Sequence, residues 1–122
     1  MMKTIIKATN LELTLRLKKA IDEKIGVLDK LMPHIKTPIT AYIEVALETR
    51  HHQKGEIYYA EANIKVLGEI IRVEARAENI FKAISALRDE LQELLKKYKK
   101  KRIAKRERAA RDLKEKRDTI SS

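Results

Sequence analysis

The chain has 122 residues, no cysteine and a formal net charge of +10. That length fits one domain, and the missing cysteine excludes disulfides and thiolate metal sites. No run approaches the roughly 20 apolar residues needed to span a bilayer, and MMKTIIKATN at the start has too short an apolar stretch for a secretory signal, so a cytoplasmic protein is expected.

The charge is lopsided. From Lys96 to Ser122 there are 13 Lys and Arg against 4 Asp and Glu, while residues 1–95 hold 15 against 14. A nearly neutral domain therefore carries a concentrated cationic end, the pattern of a chain that meets a polyanion.

KTIIKAT, residues 3–9, reads as a short strand. In TLRLKKAIDEKIGVLDKLM the residues Leu17, Ala20, Ile21, Ile25, Leu28, Leu31 and Met32 fall on one side of a 3.6-residue repeat, which predicts a helix running to Pro33. Thr14 is its expected N-cap, and Gly26 lies on its outer side. After Pro38, Ile39, Ala41, Ile43, Val45 and Leu47 alternate with more polar residues, the period of a strand with one buried face. TRHHQKG reads as a polar loop.

EIYYAEANIKV alternates again, with Tyr58, Ala60, Ala62, Ile64 and Val66 inward. Leu67-Gly68 reads as a hairpin turn with the glycine at positive φ. EIIRVEARA follows with Ile71, Val73, Ala75 and Ala77 inward. Glu44, Glu48, Glu61, Lys65, Arg72, Glu74 and Arg76 point outward, a mixed-charge face expected to pair across strands. The last helix opens at Asn79, a candidate cap, and carries the stripe Ile80, Ile84, Leu87, Leu91, Leu94 and Tyr98. The order β-α-β-β-β-α predicts an α+β fold, a four-stranded mixed sheet with both helices side by side on one face. The first two strands are expected parallel through a right-handed crossover, and the later ones antiparallel.

On this frame the last helix turns Arg88, Gln92, Lys96, Lys99 and Lys100 outward. The first turns Arg16, Lys19 and Lys30 outward, with Lys18 on the flank. LLKKYKKKR, residues 94–102, has six cations among nine residues, more than the one or two that a helix C-terminal dipole favours. Leu94, Leu95 and Tyr98 are expected to hold the helix to the sheet while Lys96, Lys97, Lys99, Lys100, Lys101 and Arg102 meet phosphates. Few exposed aromatics are available to stack bases, so a structured RNA read through backbone and shape fits better than a single strand. Residues 102–122 are expected to form a basic tail, either a projecting helix or a segment that orders on binding.

Three histidines, His34, His51 and His52, lack the spacing of a metal site, and there is no Gly-rich phosphate loop. No cofactor, metal, catalytic residue, small-molecule substrate or membrane partner is expected. Tyr58 and Tyr98 read as core residues with a polar tip.

TNLELT near the start, HHQKGEIYYAEANIKVLGEIIRVEARAENIFKAI in the middle and LKKYKKK at the end resemble the short ribosome hibernation promoting factors. That family includes the ribosome-associated inhibitor of translation, also called the ribosomal subunit interface protein. The resemblance covers about residues 4–101. It implies a non-enzymatic domain over residues 1–101, similar to double-stranded-RNA-binding domains. It also implies binding in the mRNA channel of the small ribosomal subunit, overlapping the transfer-RNA sites and inhibiting translation in idle ribosomes. The family's basic residues map onto Arg16, Lys18, Lys19, Arg88, Lys96, Lys97, Lys99 and Lys100. The chain departs from the family at Ala8, Phe81, Ser85 and Glu93, and Glu93 puts a negative charge where the family often has arginine. The partner implied is the small subunit and its ribosomal RNA, with a monomer expected off the ribosome. The alternatives are a general structured-RNA-binding protein and a regulatory protein that acts through its helices.

Overall fold

Alternation of apolar and polar residues builds the sheet, and two apolar helical stripes cover one of its faces. The computed structural model describes residues 2–32, 39–48, 55–66 and 68–120, the last six by backbone alone. The elements are β1 (Met2–Thr9), α1 (Leu15–Gly26), a short 3₁₀ helix (Val27–Leu31), β2 (Ile39–Glu48), β3 (Ile57–Val66), β4 (Glu69–Ala77) and α2 (Ile80–Ile120). The sheet order is β1-β2-β3-β4. β1 and β2 are parallel, with Met2 beside Ile39, and the other two pairs are antiparallel. This is the expected β-α-β-β-β-α architecture. Pro33, Pro38, the three histidines, Leu67 and residues 49–54 of the loop lie outside the described residues. Gly68 has φ +88°, the left-handed conformation expected of it, which a side chain would strain.

Both caps form as the sequence predicts. The Leu17 amide donates to Thr14 Oγ1 at 3.1 Å, and the Phe81 amide donates to Asn79 Oδ1 at 2.7 Å. Each satisfies one of the free N–H groups of a first turn. Two further bonds tie β1 to the helical segment over it: the Thr4 hydroxyl donates to Asp22 of α1, and the Met2 amide donates to Asp29 of the 3₁₀ helix, both at 2.7 Å.

The first helix differs from expectation in its second half. The α-helix stops at Gly26 and a 3₁₀ turn carries the chain through Leu31. Leu28 and Met32 are buried nonetheless, because the tighter turn keeps them on the same side. Gly26 has φ −60° and ψ −30°, ordinary helical values, and a Cβ there would meet nothing within 4 Å. Gly26→Ala is therefore expected to stabilise the fold by about 0.5–1 kcal/mol, chiefly by restricting the unfolded chain. A thermal melt that moved down instead would show that the glycine relieves a strain.

One core lies between sheet and helices. It joins Leu17, Ile21 and Ile25 of α1 to Ile43, Val45, Ile64, Val66 and Val73 of the strands and to Ile84, Leu87, Leu91 and Leu95 of α2. Leu95 is fully buried and Leu94 is 38% exposed. This corrects the predicted stripe, which took Leu94 as a core residue: the two leucines are about 100° apart on the helix, and the sheet lies under Leu95. Tyr58 is only partly buried and donates to Glu56, so it too is less of a core residue than its position in the alternation implied.

The opposite face of the sheet is open. Its charges do pair, but not directly across. Glu61 stands between Glu44 and Glu74 in register, three like charges in one row. Arginines from neighbouring rows offset them: Arg72 reaches Glu61 at 3.1 Å and Glu74 at 2.9 Å, and Arg76 reaches Glu48 at 3.0 Å. Arg76 also covers the Tyr59 ring at 4.8 Å, so this outward tyrosine is only 9% exposed.

The Tyr59 hydroxyl donates to Glu61 at 2.5 Å and Asn63 donates to it at 2.8 Å. These bonds hold the Glu61 carboxyl below its usual range, while burial and the bond to Glu61 push the Tyr59 phenol up. A carboxylate lowered in the folded state contributes stability above its unfolded value, about 4.3, that is lost as pH falls through the folded value. A phenol raised in the folded state contributes stability below about 10 that is lost as pH rises through its folded value. Tyr59→Phe is expected to cost about 1–2 kcal/mol near neutrality, as the loss of a bond to a charged acceptor. It should also start acid unfolding at a higher pH. An acid titration followed by circular dichroism that superimposed on the parent's would rule the bond out as a contributor.

Candidate nucleic-acid interface

With the open sheet face occupied by its own ion pairs, unpaired positive charge gathers on the helices. α1 and α2 lie side by side on the sheet and touch. Arg16 of α1 reaches across, its guanidinium 5.2 Å from the centre of the Phe81 ring on α2, an attraction of cation to ring face. The two helices therefore lie side by side as expected, but the charge on their outer surface is uneven.

Lys18 and Lys19 are exposed beside Asp22 and Glu23, and these four line a shallow hollow of about 450 Å³ with Leu15. Arg88 is paired with its neighbour Asp89 at 2.9 Å. Asp89, Glu90 and Glu93 then follow, all exposed. These acids separate the Arg16, Lys18, Lys19 and Arg88 group from the rest.

From Lys96 onward the character changes. Residues 96–106 contain eight cations and no acid. Lys96, Lys97, Lys100 and Lys101 are exposed, and Lys99 and Arg102 are half-buried. Among the described residues none of these six forms an ion pair. Successive residues turn by about 100°, so the six do not share one side. Lys96 and Lys99 fall on the flank of α2 that carries Phe81 and faces α1. Lys97 and Lys101 fall on the opposite flank beside β4, where they line a groove with Ile70 and Ile71. Lys100 lies between these flanks on the wheel and also borders that groove.

Arg102 occupies the helical position that continues the core stripe, one turn beyond Tyr98. It donates to the Tyr98 hydroxyl at 3.2 Å. This bond seats Tyr98, which packs against the core, and holds Arg102 where the helix leaves the sheet. Lys101, Arg102, Lys105 and Arg106 surround a second hollow of about 550 Å³ with Tyr98 and Glu69. Lys105 and Arg106 were not among the residues the sequence singled out. The signal for them was the absence of any acid before Glu107.

Beyond Arg106, α2 continues unbroken to Ile120. At 41 residues it is about 60 Å long. Its far part has no sheet beneath it, and Ile103 and Leu113 are 47% and 60% exposed. The arrangement is a small α/β body from which a basic rod projects. It can meet a polyanion along several phosphates, releasing condensed counterions at each. No group of three or more metal-ligating side chains occurs among the described residues, and no helix there is long and apolar enough to cross a membrane.

Comparison with known proteins agrees with this architecture. The ribosome hibernation promotion factor of Picosynechococcus sp. is 26% identical over 105 residues, 86% of this chain and 53% of that protein. The factor of the same name from Lactococcus lactis subsp. cremoris is 26% identical over 99 residues, 81% of this chain and 50% of that protein. The chain thus spans about half the length of these curated relatives. Among solved structures, the Protein Y N-terminal domain of Thermus thermophilus superposes with a TM-score of 0.66 at 20% identity, covering 79% of this chain and 98% of that one. A ribosomal subunit interface protein from Coxiella burnetii gives 0.54 at 20% identity, covering 81% and 98%. These two likenesses carry the fold. The model of the Sigma 54 modulation protein / S30EA ribosomal protein family matches residues 4–103, and the chain belongs to that family.

Proposed function

We propose that this protein is a non-enzymatic ribosome hibernation factor, acting in the cytoplasm. It binds the small ribosomal subunit through ribosomal RNA phosphates, lodges in the mRNA and transfer-RNA channel, and inhibits translation while the ribosome is idle. Residues 1–101 form the ribosome-binding domain, residues 102–122 are a basic extension of it, and the protein is a monomer off the ribosome. Family membership and the names of the relatives support the ribosome as partner. The observation that carries the choice of surface is the acid-free run of cations over residues 96–106, emerging from a helix whose other face is locked into the core. Lys96, Lys97, Lys99, Lys100, Lys101 and Arg102 supply most of the contact. Lys18, Lys19 and Arg88 lie closer to acids, Arg16 is drawn over the Phe81 ring, and these four contribute less.

Phosphate contacts of this kind position a protein on folded RNA without reading sequence. Specificity for the ribosome then comes from shape, with a rigid body and a rod fitting a channel rather than an isolated duplex. Sedimentation of the protein with small subunits through sucrose tests this, followed by chemical footprinting. The expected result is co-sedimentation at low salt and protection concentrated in the decoding region. A protein left at the top of the gradient, or protection spread evenly over any duplex, defeats the proposal.

A further inference from the structure

We propose that the free edge of β4, together with the flank of α2 beside it, is a docking groove for an extended acidic peptide that adds to the sheet as a fifth strand. This goes beyond ribosome binding and does not depend on it.

The sheet order leaves β4 at an edge, paired with β3 on one side only. Its outer row of backbone N–H and C=O groups is a template for another strand. Native edges are commonly blunted by lysine, proline or a bulge. β1, the other edge, carries exposed Lys3 and Lys7. β4 has neither lysine nor proline; its charged residues are Glu69, Arg72, Glu74 and Arg76, and both arginines are held in ion pairs. Its register with β3 runs without a bulge from Glu69 to Ala77.

A groove of about 760 Å³ lies along the first half of this edge. Both Ile70 and Ile71 line it. Successive strand residues point to opposite faces, so a groove that takes in both must follow the open edge itself. Ile70 is 71% exposed and Leu94 38%, and both line the groove. On α2 the groove meets Leu94, Lys97, Lys101 and Ala104, spaced three, four and three residues apart, which is one stripe along a helix.

Charge selects the occupant. Lys97, Lys100 and Lys101 line the groove and none forms an ion pair among the described residues. Arg72 also borders it but is engaged by Glu61 and Glu74, and Glu69 is the one acid in the lining. The remaining charge is positive above an aliphatic floor. A strand that alternates aliphatic and acidic side chains satisfies both, with its backbone completing the ladder. RNA fits less well, because base stacking wants aromatic faces and Tyr98 is the single aromatic residue in the lining.

The test uses the full chain, free of ribosomes, and a fluorescent octapeptide of alternating valine and glutamate. Binding is read by anisotropy, and β4 amide exchange by NMR. Saturating peptide is expected to slow exchange of the outward β4 amides. Ile70→Lys, at an exposed position that leaves the core intact, is expected to weaken binding about tenfold, as removal of an anchoring side chain does. The pair Lys97→Glu with Lys101→Glu should do the same, with unchanged melting temperatures showing that each variant is folded. An octaglutamate that bound as tightly as the alternating peptide would reduce the groove to bare charge and overturn the proposal. So would unchanged β4 exchange, or displacement of the β4 and Leu94 signals by oligouridylate but not by the peptide. A peptide-free dimer that Ile70→Lys dissolves would assign the edge to a second copy and overturn it as well.

Discussion

Changing Lys96, Lys97, Lys99 and Lys100 together to alanine is expected to leave the fold intact and to remove much of the salt-sensitive part of ribosome binding. Three of the four are exposed, Lys99 is half-buried, and none holds an ion pair among the described residues, so alanine removes charge without stranding a partner. Each phosphate deprived of its lysine should reduce the slope of log K against log salt by about 0.9. Between 50 and 200 mM salt the parent should then lose on the order of a hundredfold more affinity than the variant, if all four cations meet phosphate. A parallel variant, Arg16, Lys18 and Lys19 to alanine, should change the slope less. Lys18 and Lys19 sit beside Asp22 and Glu23, whose charges already weaken the local field, and Arg16 is drawn over the Phe81 ring. Equal slopes for parent and the first variant, measured by pelleting with small subunits across a salt series, would show that residues 96–100 are only a solvated helix surface. A larger effect from the α1 variant would move the contact to the other helix.

The sequence made some of this legible and concealed the rest for identifiable reasons. Strand faces are read directly from period two, so Ile39, Ala41, Ile43 and Val45 are buried as expected. Thr14 and Asn79 announce themselves as caps because only a short polar side chain can reach back to the first-turn amides. The 3₁₀ turn after Gly26 was not visible, since an α-helix and a tightened helix bury nearly the same residues over one turn. The choice between Leu94 and Leu95 depends on where the sheet lies under α2, which no wheel specifies. The same limit applies to the cations. Their density over Lys96–Arg102 is a property of the sequence. Their division between the α1 flank and the β4 flank depends on what packs on either side. Arg88 looked free on a wheel, yet its guanidinium folds onto Asp89, the next residue. Tyr59 looked exposed by parity and is covered by the guanidinium of Arg76, its cross-strand partner on β4.

The second large effect belongs to the anchor beneath the cationic run. Leu95→Ala is expected to cost about 3–4 kcal/mol, within the range for deleting a fully buried leucine side chain and leaving a partly collapsed cavity. Leu94→Ala, at a position 38% exposed, should cost less than about 1 kcal/mol, since little of that side chain is removed from its packing. For a domain of this size the Leu95 change corresponds to a fall of about 10–20 °C in melting temperature. The difference has a functional reading. Leu95 is the last wholly buried residue of α2 among those whose side chains are described, and Tyr98 packs only partly beyond it. It therefore fixes the direction in which Lys96 to Arg106 leave the sheet. In Leu95→Ala, affinity for the small subunit should fall even well below the melting temperature, because the helix exit frays and each bound cation must first be ordered. Tyr98→Phe, which keeps the ring but loses the hydroxyl that accepts from Arg102, should lower affinity slightly with little change in melting. Should Leu94→Ala prove the more destabilising of the two leucine changes, the placement of α2 on the sheet is rotated by about one residue. The faces assigned to its lysines would then rotate with it.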